Sequence, residues 1–454
     1  MKLGIALLGA TLFGIFGIQT VESIELPQGY VSSSYSLENT VEIVSQSMRP
    51  RGSEEEMDMA TFISDTLESF GYESDIMVEP FMELTWENSG YGDLDFEEMF
   101  NLNPEGEDIP DGYFPIVSAT KYAMDNPTNQ KLILITSHDT SSDAKSTISS
   151  GSGIATTLEI ANLLKDEELP FDLEVVSVGT NGLYAYGTRT YVNNISEEET
   201  ETIVGAISVQ GLGYLQDSEF VMGDCFGVGS VFTQIADNLN LDVNWDRDAN
   251  QTMVFQAKNI PAVGFKEEPL EWSGVAIRHY EGELDVDKLE KAATTIAKFI
   301  SNYDLEKHNE LLKGELIEQK DIDYYVDKII DIDEHLCGLS IAKLLENGHT
   351  INNISTQLIE NGITNNIILA MEDENNNEYT ITRVPGDIYN VDNLYQFDML
   401  GEPMYENWER VYVPIIDDET KLIFKGSQYT LVFEGDIDEQ DIIEIAREYL
   451  PYEI

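Results

Sequence analysis

Apolar and polar positions repeat with two different periods along this chain, and the switching between them lays out its elements. Short apolar, β-branched runs that fit strands occur at Lys131 to Ser137, Leu173 to Val178, Ile203 to Val209 and Pro261 to Phe265. Stretches with helical spacing lie between and after them, at Ile154 to Asp166, Thr188 to Asn194, about Ser230 to Asn240, and Val286 to Tyr303. Ahead of these, Ser53-Glu54-Glu55-Glu56 is a capping-box pattern, in which the Ser side chain accepts from an early helix N–H and the Glu reaches back. Met59, Phe62, Ile63, Leu67 and Phe70 then recur at helical spacing up to Gly71, a natural stop. Near-continuous apolar strands alternating with helices predict an α/β fold class, a mostly parallel mixed sheet flanked by helices on both faces. The segment from Thr85 to Gln130, acidic and rich in Gly and Pro, predicts a long surface excursion.

After Tyr303 the texture changes. Leu305 to Ile332 has helical spacing, and Ser340 to Asn361 predicts two short helices, with Leu345-Glu-Asn-Gly348 and Ile359-Glu-Asn-Gly362 as their C-caps. Asn366 to Ile388 predicts strands about the polar turn Asp373 to Asn377. Lys421 to Phe424 and Tyr429 to Phe433 predict a hairpin about Lys425-Gly426-Ser427, and Asp438 to Leu450 an amphipathic helix. The organisation expected is a signal peptide at 1–23, a large α/β domain at 24–303, a helical linker at 304–335 and a smaller α+β domain at 336–454.

Composition narrows the setting. A chain of 454 residues, 42% hydrophobic, is long enough to bury two cores. Lys2, the apolar run Leu3 to Ile18 and the close Val21-Glu22-Ser23 predict a secretory signal, because that run is short of the roughly 20 residues a spanning helix needs. The expected location is extracellular or at the cell surface, with an uncleaved anchor as the alternative. Lys2 and Glu22 cancel, so the net charge of −60 belongs to the mature chain. Such a chain repels nucleic acid and attracts cations, so weak divalent cations are expected partners. No Asp-x-Asp-x-Asp-Gly loop marks a specific calcium site. Cys225 and Cys337 do not make a disulfide scaffold, and whether they pair stays open.

Candidate chemistry gathers at two places. His138-Asp139-Thr140 follows the first strand run, and Ser149-Ser150-Gly151-Ser152-Gly153 forms a turn that opens an amphipathic helix. No Gly-x-Ser-x-Gly elbow, phosphate loop or His-Glu-x-x-His pair occurs, and His308, His335 and His349 are scattered through the C-terminal part.

Arg49-Pro50-Arg51-Gly52-Ser53-Glu54-Glu55, Phe70-Gly71-Tyr72, the helix Gly153 to Ala161, and Asn259-Ile260-Pro261-Ala262-Val263-Gly264-Phe265 together resemble the secreted zinc aminopeptidases. That family includes bacterial leucyl aminopeptidases, glutamate carboxypeptidases and the transferrin receptor, and the resemblance covers about residues 37 to 303. It implies two zinc ions, a bridging carboxylate and a Glu base, from a His-x-Asp at a strand end, an Asp before the Gly-rich turn, a Glu-Glu pair, a further Asp and a late His. Carried onto this chain, His138 matches the first position, but Thr140, Ser149, Asn181 with Gly182, and Gln210 stand where the carboxylates belong. Asp139 is out of phase, since side chains alternate along a strand. His279, set in Arg278-His279-Tyr280-Glu281, lies in the interval of the late His.

A zinc site needs three or more protein ligands, and the loss of the whole carboxylate set predicts a pseudoenzyme with no cofactor and an unknown protein or peptide ligand. Two alternatives remain: an active zinc-dependent aminopeptidase with displaced ligands such as Asp139, Asp143 and His279, and an acidic cation-binding surface protein. The terminal segment, from Trp408 through Leu422 to Leu431 and Ile442 to Arg447, is similar to a small domain of unknown function in Gram-positive exported proteins.

Overall fold

A computed structural model describes residues 35–46, 48–81, 112–124, 129–141, 145–181, 185–224, 231–239, 244–247, 251–269, 283–319, 322–323, 325–327, 329–330, 341–359, 364–385, 411–412, 415–416, 419–425, 429–435, 437 and 439–449. The expected signal peptide, Asp143, Gly182, Cys225, His279, His335, Cys337 and Trp408 lie outside the described residues.

The first body is an eight-stranded sheet ordered β1-β2-β4-β3-β5-β8-β6-β7. Its strands are β1 Glu73–Phe81, β2 Gly112–Lys121, β3 Lys131–Ser137, β4 Asp172–Val178, β5 Ile203–Val209, β6 Ser218–Asp224, β7 Asn244–Arg247 and β8 Ala262–Pro269. Pairs β3/β4, β3/β5, β5/β8 and β6/β7 are parallel, while β1/β2, β2/β4 and β6/β8 are antiparallel. The expected α/β class with a mostly parallel centre is what forms.

Helices cover both faces, which is why the central strands are apolar over most of their length. Leu132 and Leu134 share a core with residues of α1 (Leu37–Val44), α2 (Glu54–Ser69), α3 (Ser152–Leu164), α5 (Val231–Asn238) and α7 (Val286–Ser301). Ile133 and Ile135 point the other way and pack with residues of α4 (Tyr186–Asn193) and α6 (Gln251–Gln256). Ser53 caps α2, its hydroxyl accepting from Glu56 N–H at 3.1 Å, and Gly71 ends it at φ +91°.

Three expectations about this body are corrected. Part of the supposed excursion, Gly112 to Lys121, is an internal strand between β1 and β4; its Phe114, Ile116, Val117 and Ala119 are fully buried. The Gly and Pro around it masked a β-branched run. The Gly151-Ser152-Gly153 stretch is not a turn, because helical winding starts as a π-helical turn at Thr147–Gly151 and passes directly into α3. Gly153 serves close approach instead: a Cβ there would meet Thr136 Oγ1 and lie 2.7 Å from Val209 O. Nor is α3 amphipathic along its whole length: its first two turns are buried all round, against α1 and α7, and the outward stripe is confined to Glu159, Asn162 and the exposed Leu163.

The second body is an antiparallel sheet ordered β13-β15-β16-β12-β11-β10-β9, with β14 pairing β15. Its strands are β9 Ile317–Glu318, β10 Thr350–Ile359, β11 Thr364–Glu372, β12 Glu378–Pro385, β13 Val411–Tyr412, β14 Ile415–Ile416, β15 Glu419–Lys425 and β16 Tyr429–Gly435. Helices α9 (Ile341–Glu346) and α10 (Glu439–Tyr449) cover one face through Ile341, Leu344, Ile442, Ile445 and Tyr449, against Ile354, Leu369, Ile381 and Phe433. The hairpin about Asp373 to Asn377 forms as expected, and β15 and β16, the strands expected on either side of Lys425-Gly426-Ser427, pair antiparallel.

The helical reading of 305–332 holds for Leu305–Leu311 and for the described residues between 322 and 330, and fails between them. α8 (Leu305–Leu311) stops at Gly314, φ +66°, and Ile317–Glu318 then joins the second sheet. Where a second helix was expected before Asn361, the chain forms strand β10 up to Ile359, paired antiparallel with β11. Among the described residues no helix is long and apolar enough to cross a membrane.

Candidate functional site

Every position of interest sits just past the carboxyl end of a central strand: His138 after β3, Asn181 after β4, Gln210 after β5. Open α/β sheets bind their ligands at this edge. The edge here is built from the N-terminal signature inward. Arg49 is completely buried and spends its guanidinium on three acceptors, the carbonyls of His138 (2.7 Å) and Val44 (2.8 Å) and the hydroxyl of Ser150 (3.2 Å). Its backbone is zipped to Thr140, with Arg49 N–H donating to Thr140 Oγ1 at 2.6 Å and Thr140 N–H donating to Arg49 O at 2.8 Å. Burial pulls the guanidinium down to about 10, opposed by the charges of Asp139 and Glu56.

Glu56 is the second hub. Its carboxylate accepts from Gly52 N–H at 2.6 Å and from Thr180 N–H at 2.8 Å, so it ties the start of α2 to the loop after β4. The capping-box reach thus goes to Gly52, one residue before the cap, and on to a loop far along the chain. Desolvation, and then the neighbouring Asp139 charge, push this carboxyl up to about 8.

His138 lies beneath, fully buried, with Nδ1 2.9 Å from Ser177 Oγ on β4 and with Nε2 buried without a partner. Burial, and then Arg49, hold the ring neutral, lowering its pKa to about 3. His138 and Thr140 therefore engage different neighbours, the histidine β4 and the threonine Arg49.

A chain of neutral side chains closes the site on the other side. Asn181 Oδ1 accepts from Thr188 N–H at 3.2 Å and from Thr188 Oγ1 at 2.7 Å. Gln251 Nε2 donates to Thr188 Oγ1 at 3.1 Å, and Ser208 Oγ donates to Gln251 Oε1 at 2.6 Å. Four segments, the β4 loop, α4, α6 and β5, are thereby joined. The turn before α3 meets the β5 loop directly, Gly211 N–H donating to Ser149 O at 3.3 Å. That loop is held in turn by Lys288, whose ammonium donates to Tyr214 O and Gln216 O, both at 2.7 Å, and by Glu267, which accepts from Tyr214 N–H at 3.2 Å and Ser218 Oγ at 2.7 Å.

Thr140, Ser149, Asn181 and Gln210 thus come to one edge with His138. Thr140 and Asn181 are committed to neutral hydrogen bonds, and among the described residues no three of His, Cys, Asp and Glu converge as a ligand set. The carboxyl groups of Asp139 and Glu56 lie within the field of Arg49. His308 and His349 are packing residues, with Nδ1 2.9 Å from the hydroxyls of Tyr303 and Tyr379.

No family model and no curated protein matches the sequence. Among solved structures, the chain is similar to an aminopeptidase from Aneurinibacillus sp. strain AM-1, at 17% identity over 58% of this chain and 92% of that one, with a TM-score of 0.47. It is similar as well to the zinc aminopeptidase of Bacillus subtilis, at 12% identity over 58% and 93%, TM-score 0.47. A glutaminyl cyclase of Porphyromonas gingivalis aligns at 13% identity over 61% and 100%, TM-score 0.44.

Sequence inspection missed Ser177, Thr188, Ser208 and Gln251 as site residues, and took Glu56 only as a helix cap. No local pattern marks them, because each gains its role from a partner distant in the chain.

Proposed function

We propose that this is an exported protein whose aminopeptidase-like part no longer hydrolyses peptides and acts in binding or assembly. The observation that carries the reading is the neutral chain Asn181–Thr188–Gln251–Ser208. A residue placed as a general base needs a free basic oxygen facing substrate. Asn181 is neutral, and its carbonyl oxygen is already turned onto Thr188 twice.

In this proposal residues 1–23 direct export, 24–303 form the aminopeptidase-like part, 304–335 the joint and 336–454 the smaller domain. The partner is a protein or peptide, and the charge of −60 favours one with a basic surface. The test is metal content by mass spectrometry on purified full-length protein, together with hydrolysis of aminoacyl anilides. Substoichiometric zinc and no turnover are expected. About two zinc ions per chain with chelator-sensitive turnover would overturn the reading in favour of displaced ligands.

A further inference from the structure

The two sheets share a buried hydroxyl. Thr356, on β10 of the second sheet, is almost fully buried, and its Oγ1 accepts from two glutamines at once. Gln234 Nε2 reaches it at 3.3 Å from α5 of the first body, and Gln319 Nε2 at 2.6 Å from just after β9. The strand around it is held over the same stretch. Ile317 and Glu318 pair with Thr356 and Ser355, Gln319 N–H donates to Ile354 O at 2.8 Å, and Gln357 Nε2 donates to Gly314 O at 2.9 Å. Next along, Leu358 and Leu311 are buried in the core of the first body.

Gly314 permits this approach. It sits at φ +66°, and a Cβ there would lie 2.9 Å from Leu358 O, inside any real contact distance. A side chain at this position would push β10 away. The segment between α8 and β9 is therefore seated against both bodies, with its backbone and side-chain bonds spent on them.

We propose that the Gln234–Thr356–Gln319 clasp, closed over Gly314, joins the two sheets into one cooperative body with no hinge between them. An isolated linker would leave each sheet to open alone. Here, separating them takes the Gln234 donor from the buried Thr356 hydroxyl and exposes two buried leucines, and a buried polar group left unpaired is costly. The inference is independent of whether the first body is catalytic.

Calorimetry of the full chain, with trypsin cleavage after the exposed Lys313, tests it. The wild type is expected to unfold in a single transition with calorimetric and van't Hoff enthalpies equal. Thr356→Val, which keeps the shape and deletes the hydroxyl, is expected to speed cleavage at Lys313 roughly tenfold. Thr356→Ser, which retains the hydroxyl, should restore slow cleavage, and Gly314→Ala should behave like Thr356→Val. Two resolved transitions in the wild type, or cleavage in Thr356→Val at the wild-type rate, would overturn the proposal.

Discussion

Asn181 Oδ1 accepts from both the backbone N–H and the hydroxyl of Thr188, at 3.2 and 2.7 Å, and so closes the loop after β4 onto the start of α4. Asn181→Ala leaves both donors unsatisfied in a half-buried setting. The loss expected is about 1–3 kcal/mol in urea unfolding. A double-mutant cycle with Thr188→Ala should return a coupling of about 0.5–3 kcal/mol, and additive effects would show that the bonds contribute nothing.

Arg49 organises the opposite side of the site. Its three acceptors diverge, two carbonyls and one hydroxyl, so a planar fork is required and an ammonium cannot span them. Arg49→Met leaves Asp139 without the buried cation and three buried acceptors without their donor, and a loss of about 3–5 kcal/mol is expected. Arg49→Lys should recover only part of it. A thermal midpoint for Arg49→Lys equal to wild type would refute the geometric argument.

The buried ring of His138 makes the fold sensitive to acid. Folded, it takes a proton only near pH 3; unfolded, near 6.5. Its stabilising contribution is complete above 6.5 and is lost as pH falls toward 3, with a slope of up to about 1.4 kcal/mol per pH unit. The double variant His138→Phe/Ser177→Ala removes the titration and its hydrogen-bond partner together. Urea midpoints between pH 6.5 and 3 should fall less steeply than in the wild type; parallel curves would contradict the assignment.

Glu56 has the opposite sign. Its folded carboxyl keeps a proton up to about pH 8, while the unfolded one releases it near 4.5. Across that window the folded state binds more protons, so stability declines as pH rises. Glu56→Gln abolishes this slope at a fixed cost, because its amide nitrogen faces one of the two backbone N–H donors. The difference in stability between variant and wild type should shift in favour of the variant from pH 5 to 8.5, and a constant difference would count against it.

The strands at Lys131 to Ser137 and Ile203 to Val209 were legible residue for residue, because a buried parallel strand is apolar on both faces and carries its own signature. β2 and β10 were not. Tyr113-Phe114-Pro115-Ile116 is embedded in acidic, Gly-rich sequence, and Thr350 to Ile359 mixes Asn, Ser and Thr in a way that local spacing does not separate from a helix end. Both become strands because a neighbour supplies the ladder, β1 and β4 in one case and β11 in the other. At the site, the neutral residues at 140, 149, 181 and 210 were picked out by the resemblance to the zinc aminopeptidases. What they bond to was not.

By itself the sequence determined the class of the first body, the cap of α2, where β3, β4 and β5 end, and the chemistry present at those ends: one histidine among hydroxyls and amides. These follow from local periodicity and residue type, which act over a few positions. Only the tertiary structure decided that Arg49 and Glu56 are buried hubs, that Asn181 faces Thr188, and that Gln234 and Gln319 share Thr356. Each of these joins residues distant in sequence, with Arg49 Nε and His138 O separated by 89 positions. A hydrogen bond between such residues has no sequence period, and it exists only once the sheet has brought its strand ends to one edge.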